Sequence, residues 1–174
     1  VDVAADVLGP DLRQGVSRRS TTKRLGLRGR EGYEELVADA SRVSSHIDAH
    51  TIDHLAHRYG GEAHVVLAMI DRDPSLAAPL VPTLPYLRAE AVYAARYEMA
   101  VTLDDILSRR TRALLLARDA SDRVAADVAA LVADELGWDA SEQAAQVGHY
   151  RQQVAEERIA GNLPEIALDA ALGA

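Results

Sequence analysis

The stretch TLDDILSRRTR, residues 102–112, sets two adjacent carboxylates, Asp104 and Asp105, one helical turn ahead of two adjacent guanidinium groups, Arg109 and Arg110, with Arg112 close behind. On a helix that begins at Thr102, Asp105 and Arg109 stand at i and i+4, acid before base, the order that favours an ion pair. The acids fall at the positive end of the helix dipole and the arginines at the other end. Exposed pairs of this kind contribute only about 0.3–0.5 kcal/mol each, too little to require so many charges. Planar guanidinium groups pair with carboxylates bidentately across a contact. Glu90 and Glu98, on the helix before, are the nearest carboxylates in sequence. Together Glu90, Glu98, Asp104, Asp105, Arg109, Arg110 and Arg112 read as an ion-pair network, internal to a domain or facing another domain or subunit. A clamp for an anionic ligand is a third use of the same groups.

Four histidines, His46, His50, His54 and His57, are spaced by four, four and three residues. On one unbroken helix that spacing would line up imidazoles for a metal, the arrangement of a small metal-dependent hydrolase. No HExxH motif accompanies them, Asp53 points off the row, and SSHIDAHTID suggests a break between helices around Ser45 to Asp48. They are therefore expected to be surface and interhelical residues, and no metal site is predicted. There is no cysteine and no GxSxG elbow for a nucleophile. Neither GxGxxG nor GxxxxGK is present to cradle the phosphates of a dinucleotide or nucleotide. The residues predict no catalytic and no cofactor-binding group.

The elements that must position these groups read as helices. VDVAADVL is a short amphipathic pattern closed by Gly9-Pro10, and residues 11–30 form a polar, basic connector rich in glycine. Helical periodicity resumes at YEELVADASRV, continues through IDHLAHRY to a stop at Gly60-Gly61, and returns in EAHVVLAMI. APLVPTLPYL carries three prolines in seven residues and cannot be helical inside. AEAVYAARYEMA follows, with Val92 and Tyr93 set to pack with Arg96 and Tyr97. Thr102 is expected to cap the next helix, with Asp105 three residues on completing a capping box. SDRVAADVAALVADELG puts Val124, Val128, Leu131, Val132 and Leu136 on one stripe, with Ser121 as its expected cap and Gly137 as its stop. Asp139 is the expected cap of ASEQAAQVGHYRQQVAEERIA, and the tail from Gly161 is expected to be loose. No alternation of period two is long enough for a strand.

Composition supports the same class. Across 174 residues, 48% are hydrophobic and 26% charged, with no Phe, one Trp and six Tyr. A core built from Ala, Leu and Val favours closely approaching helices. The expected fold is all-α, a compact multi-helix bundle over residues 31–160, preceded by a short helix and a basic extended connector. The net charge of −8 argues against a nucleic-acid partner. Residues 1–30 hold seven Lys/Arg against three Asp/Glu, +4, so the remaining residues carry twelve against twenty-four, −12. Zero cysteines fit a reducing cytoplasm, and no run reaches the 18 or so apolar residues of a membrane span. A first residue of Val that runs directly into a helical pattern suggests part of a longer polypeptide.

From about Tyr33 to Glu157 the order of motifs resembles the C-terminal helical domain of bacterial FAD-dependent glycerol-3-phosphate dehydrogenases and the related α-glycerophosphate oxidases. The residues concerned are HLAHRYG at 54–60, DPSL at 73–76, YLRAEAVYAARYEMAVTLDDILSRRTR at 86–112 and ELGWD at 135–139. The resemblance implies that residues 1–10 end a flavin domain and that 11–30 connect it to a helical domain. It implies that flavin and substrate domains of the same polypeptide are the partners, with a homo-oligomer possible. FAD then belongs to the parent enzyme and not to this chain, which alone would be inactive. The parent would oxidise sn-glycerol 3-phosphate to dihydroxyacetone phosphate in the cytoplasm, touching the inner face of the plasma membrane only peripherally. The alternative is a freestanding helical interaction domain with no enzymatic role.

Overall fold

The computed structural model describes residues 24–26, 29–38 and 47–161. The expected helix over VDVAADVL, most of the connector, His46 and the tail beyond Gly161 lie outside these residues. Seven α-helices are described: α1 Tyr33–Ala38, α2 Ala49–Tyr59, α3 Ala63–Arg72, α4 Arg88–Tyr97, α5 Ala113–Leu116, α6 Arg118–Leu136 and α7 Ala140–Ala160. Single 3-10 turns cover Gly60–Glu62 and Pro74–Ala77. The described residues contain no strand, and the one isolated bridge joins Pro79 to Leu87. The fold is all-α, as composition and periodicity predict.

Local chemistry explains most of the boundaries. The Asp48 carboxylate accepts from Thr51 N at 2.8 Å and starts α2, and Asp139 accepts from Glu142 N at 2.8 Å and starts α7. Gly137 ends α6 in a left-handed turn, φ +68°. The Pro-rich segment folds back on itself, with Leu80 N donating to Tyr86 O and Arg88 N to Ala78 O. Gly60-Gly61 does more than stop a helix. Gly61 N donates to Gly29 O at 2.6 Å, and a Cβ on Gly61 would run into Glu31 O. The doublet lets two stretches of backbone touch.

Two expectations are corrected. Ser121 does not cap α6, which begins three residues earlier at Arg118. Its buried hydroxyl instead donates to Arg118 O at 2.7 Å and bonds the Tyr150 hydroxyl at 2.6 Å, tying α6 to α7. A tyrosine buried at that depth needs a polar partner, and Ser121 supplies it. The segment after Thr102 has the expected capping box, but over Asp105–Arg110 it widens into a π-helix. Thr111 closes this turn: its N donates to Ile106 O at 2.9 Å, and its fully buried hydroxyl donates to the same carbonyl at 2.9 Å.

The helices enclose two adjoining cores. One collects Leu36, Ile52, Leu55, Val66 and Ile70 of α1 to α3 with Val92 and Tyr93 of α4. The other collects Ala91 and Ala94 of α4, Leu103 just before the π segment and Ile106 and Leu107 within it, Val128 and Val132 of α6, and Tyr150 and Val154 of α7. On α6 the stripe also takes Ala125 and Ala129, with Val124, Leu131 and Leu136 half-buried at its edge. α4 is buried from Ala89 to Ala94 because it serves both cores.

Candidate functional site

The predicted charges divide into two clusters joined through one arginine. Glu90 is 1% exposed in the first turn of α4, between the cores. Its Oε2 accepts from Leu87 N at 2.7 Å, the reciprocal half of a cap. Its Oε1 accepts from the Tyr59 hydroxyl at 3.0 Å, and lies 3.2 Å from Arg58 Nε and 3.4 Å from His54 Nε2. A buried carboxylate must be paired and hydrogen-bonded on this scale to persist. Burial, then the Glu90 charge, drive the Tyr59 pKa far up, so its hydroxyl stays a proton donor. Burial opposes the Arg58 charge, but Tyr59 and Glu90 outweigh it and raise its pKa. The Arg58 guanidinium also lies 5.1 Å over the Tyr86 ring. Glu90 therefore pairs with α2 and not with the arginines at 109–112.

The second cluster surrounds the π segment. Arg109 reaches Asp105 and Asp104, each at 2.6 Å. The widened turn explains the double contact, since it brings a residue five positions on over its predecessor. Asp105 Oδ2 accepts from Val101 N at 3.1 Å, Thr102 N at 3.0 Å and Thr102 Oγ1 at 2.9 Å. Burial would raise the Asp105 pKa, but the bonds from Thr102, Val101 and Arg109 together hold it below the usual carboxylate value. Asp104 accepts from the Ser108 hydroxyl. Arg110 grips the carbonyl of Glu98, Nη2 at 2.6 Å and Nε at 3.2 Å, while the Glu98 carboxylate stays 3.7 Å away. Arg58 donates to the carbonyl of Arg110 and so links the clusters. Arg112 is exposed in a left-handed conformation, φ +53°, with no ion pair among the described residues.

Sequence reasoning missed His54, Arg58 and Tyr59 as the partners of Glu90. The available signal was that His54 and Arg58, four apart, flank the apolar face of Ile52, Leu55 and Tyr59 on α2. It also missed the Arg96 pair with Glu135 and the buried Asp119, which holds Arg118 at 3.1 Å and Arg158 at 2.7 Å. The histidine row is divided among separate partners: His54 faces Glu90, while His57 Nδ1 lies 2.9 Å from Asp53 O. Among the described residues no three potential metal ligands converge. The glycines at 60 and 61 offer no phosphate cradle, because Gly29 O and Glu31 O occupy the space beside them. No described helix is long and apolar enough to cross a membrane.

Fold and site together define an all-helical domain organised on a buried carboxylate and a pinned π turn. The chain belongs to the family described as the C-terminal domain of alpha-glycerophosphate oxidase, which matches residues 20–143. It is 37% identical over 148 residues to a protein named glycerol-3-phosphate dehydrogenase 2 from Mycobacterium tuberculosis, covering 84% of this chain and 25% of that one. A glycerol-3-phosphate dehydrogenase from Synechocystis is 31% identical over 134 residues, 76% of this chain and 24% of that one. A probable mitochondrial glycerol-3-phosphate dehydrogenase from Caenorhabditis elegans is 34% identical over 146 residues, 75% and 19% of the two chains. The chain thus spans about a quarter or less of the length of these relatives. No solved structure matches it.

Proposed function

We propose that this chain is the C-terminal accessory domain of a flavin-dependent glycerol-3-phosphate dehydrogenase. In that reading an upstream portion binds FAD and oxidises sn-glycerol 3-phosphate to dihydroxyacetone phosphate, while this domain docks on it and contributes no reacting group. The observation that carries the reading is the family match over residues 20–143, joined to relatives bearing that dehydrogenase name. The site chemistry agrees with it. Glu90, Asp104, Asp105, Arg58, Arg109 and Arg110 are all spent on holding helices and backbone in place, which is structural work. A freestanding interaction domain is not favoured by a likeness that covers most of the chain. In this reading the polypeptide works in the cytoplasm, and any membrane contact is made by the upstream portion.

The test is to express the longer polypeptide that carries this chain, intact and with residues 31–160 removed. The intact protein should show visible flavin absorption and reduce a quinone analogue when given glycerol 3-phosphate. The shortened one should lose thermal stability and activity together. An intact protein without flavin, or indifferent to glycerol 3-phosphate, would refute the assignment.

A further inference from the structure

From the last residue of α4 onward the chain exposes three apolar side chains in five residues: Tyr97 at 48%, Met99 at 85% and Val101 at 63%. Met99 is left-handed, φ +56°, at a helix end where glycine is the residue that carries no steric penalty. A long apolar side chain held out to water in a strained conformation gains nothing for the domain itself. The strain is maintained from both sides. Glu98 N and Ala100 N both donate to Ala94 O at 3.1 Å, turning the chain around Met99. Arg110 holds the Glu98 carbonyl at 2.6 Å, and Asp105 holds the N–H groups of Val101 and Thr102. Tyr97 rests on Tyr93, ring centroids 5.0 Å apart, Tyr93 on Tyr59 at 5.0 Å, and the Tyr59 hydroxyl bonds Glu90. The two ion clusters thus fix the shape of one apolar corner.

We infer that the Tyr97–Met99–Val101 corner is the contact through which this domain seats on the preceding portion of its own polypeptide, in an apolar socket there. The inference rests on the reading above and deepens it: the charges at 104–110 shape the corner, and the apolar side chains make the contact. The occupant is argued from length. In the relatives about three quarters of the chain lies beyond the part matched here. Tethering gives that portion a high effective concentration at this surface. Met supplies an adaptable apolar contact.

The experiment uses the full-length polypeptide, with Met99→Asp and Met99→Gly beside a control, Ile159→Asp, at another exposed apolar residue. Trypsin probes the basic stretch at residues 17–30, and light scattering reads the mass in solution. Both Met99 variants should be cut between the two portions about tenfold faster than wild type, since cleavage follows the undocked population. The control should match wild type, and all masses should be equal. Met99→Gly removes the backbone strain, so its loss of protection cannot come from misfolding of the turn. Wild-type protection in both Met99 variants overturns the inference. So does a fall in mass confined to those variants, which would assign the corner to a second copy of the chain. Visible flavin absorption in the wild-type protein keeps either failure distinct from failure of the dehydrogenase reading.

Discussion

At the scale of single residues, Glu90 is the group with most at stake. Its carboxylate is surrounded by four partners, three of them from α2, and is itself 1% exposed. Glu90→Ala would leave the Arg58 charge facing an apolar gap, and is expected to cost about 3–5 kcal/mol in urea unfolding. Glu90→Gln keeps an acceptor for Leu87 N and is expected to cost less, about 1.5–3 kcal/mol. Equal, negligible losses would show that Arg58 finds solvent instead. Asp105 makes a prediction with pH. Its folded pKa lies below the usual 3.8, so its carboxylate adds stability above that value and loses it as pH falls through the folded one. Asp105→Asn should therefore be less stable at neutral pH, and its urea midpoint should fall less steeply on acidification. A mutant curve parallel to wild type would remove Asp105 from the acid transition.

At the scale of elements, glycines separate two kinds of helix end. Gly137 is left-handed with open space where a Cβ would sit, so Gly137→Ala should cost only about 1–2 kcal/mol of backbone strain. Gly61 has no such space, because Glu31 O occupies it. Gly61→Ala must push the segment before α1 away from α2, and amide exchange at residues 29–36 should rise sharply while α6 and α7 keep their protection. Comparable, mild effects of both substitutions would mean that the two backbones separate easily. The sequence shows each doublet or single glycine as a stop, because a stop is a local property; it does not show which backbone approaches. The same division runs through the fold. The cap at Asp139, the stop at Gly137 and the stripe on α6 were legible because each depends on residues within about two turns, whereas Asp48 was read only as part of a break and its capping of α2 came from the structure. The π winding at 105–110 was not legible, since it depends on the burial of Thr111. The Glu90 hub was not legible either: its carboxylate was named, but His54 and Tyr59 lie 36 and 31 residues away. Ser121 misled because a serine before a periodic run resembles a cap, and only the buried Tyr150 hydroxyl gives it other work.

At the scale of the whole molecule, α4 decides whether two cores behave as one. Ala91 and Ala94 face the core of α6 and α7, while Ala89, Val92 and Tyr93, on the same two turns, face that of α1 to α3. Leu131 of α6 touches both. Alanine at 91 and 94 lets α4 and α6 approach closely, and both side chains are fully buried. Ala94→Leu inserts volume there and is expected to cost about 1–3 kcal/mol. Because α4 is a single rigid rod, the displacement should reach its opposite face as well. Two probes distinguish the possibilities. Trp138, the sole tryptophan, packs against the α6–α7 core and reports it by fluorescence, and amide protection in α2 reports the other. In wild type the Trp138 transition in urea and the loss of α2 protection should share one midpoint, and in Ala94→Leu both should shift down together. A shift in Trp138 alone would mean that α4 divides the domain. In that case the Glu90 hub, which bonds α4 to α2, would hold two independently unfolding halves together and would not belong to one cooperative core.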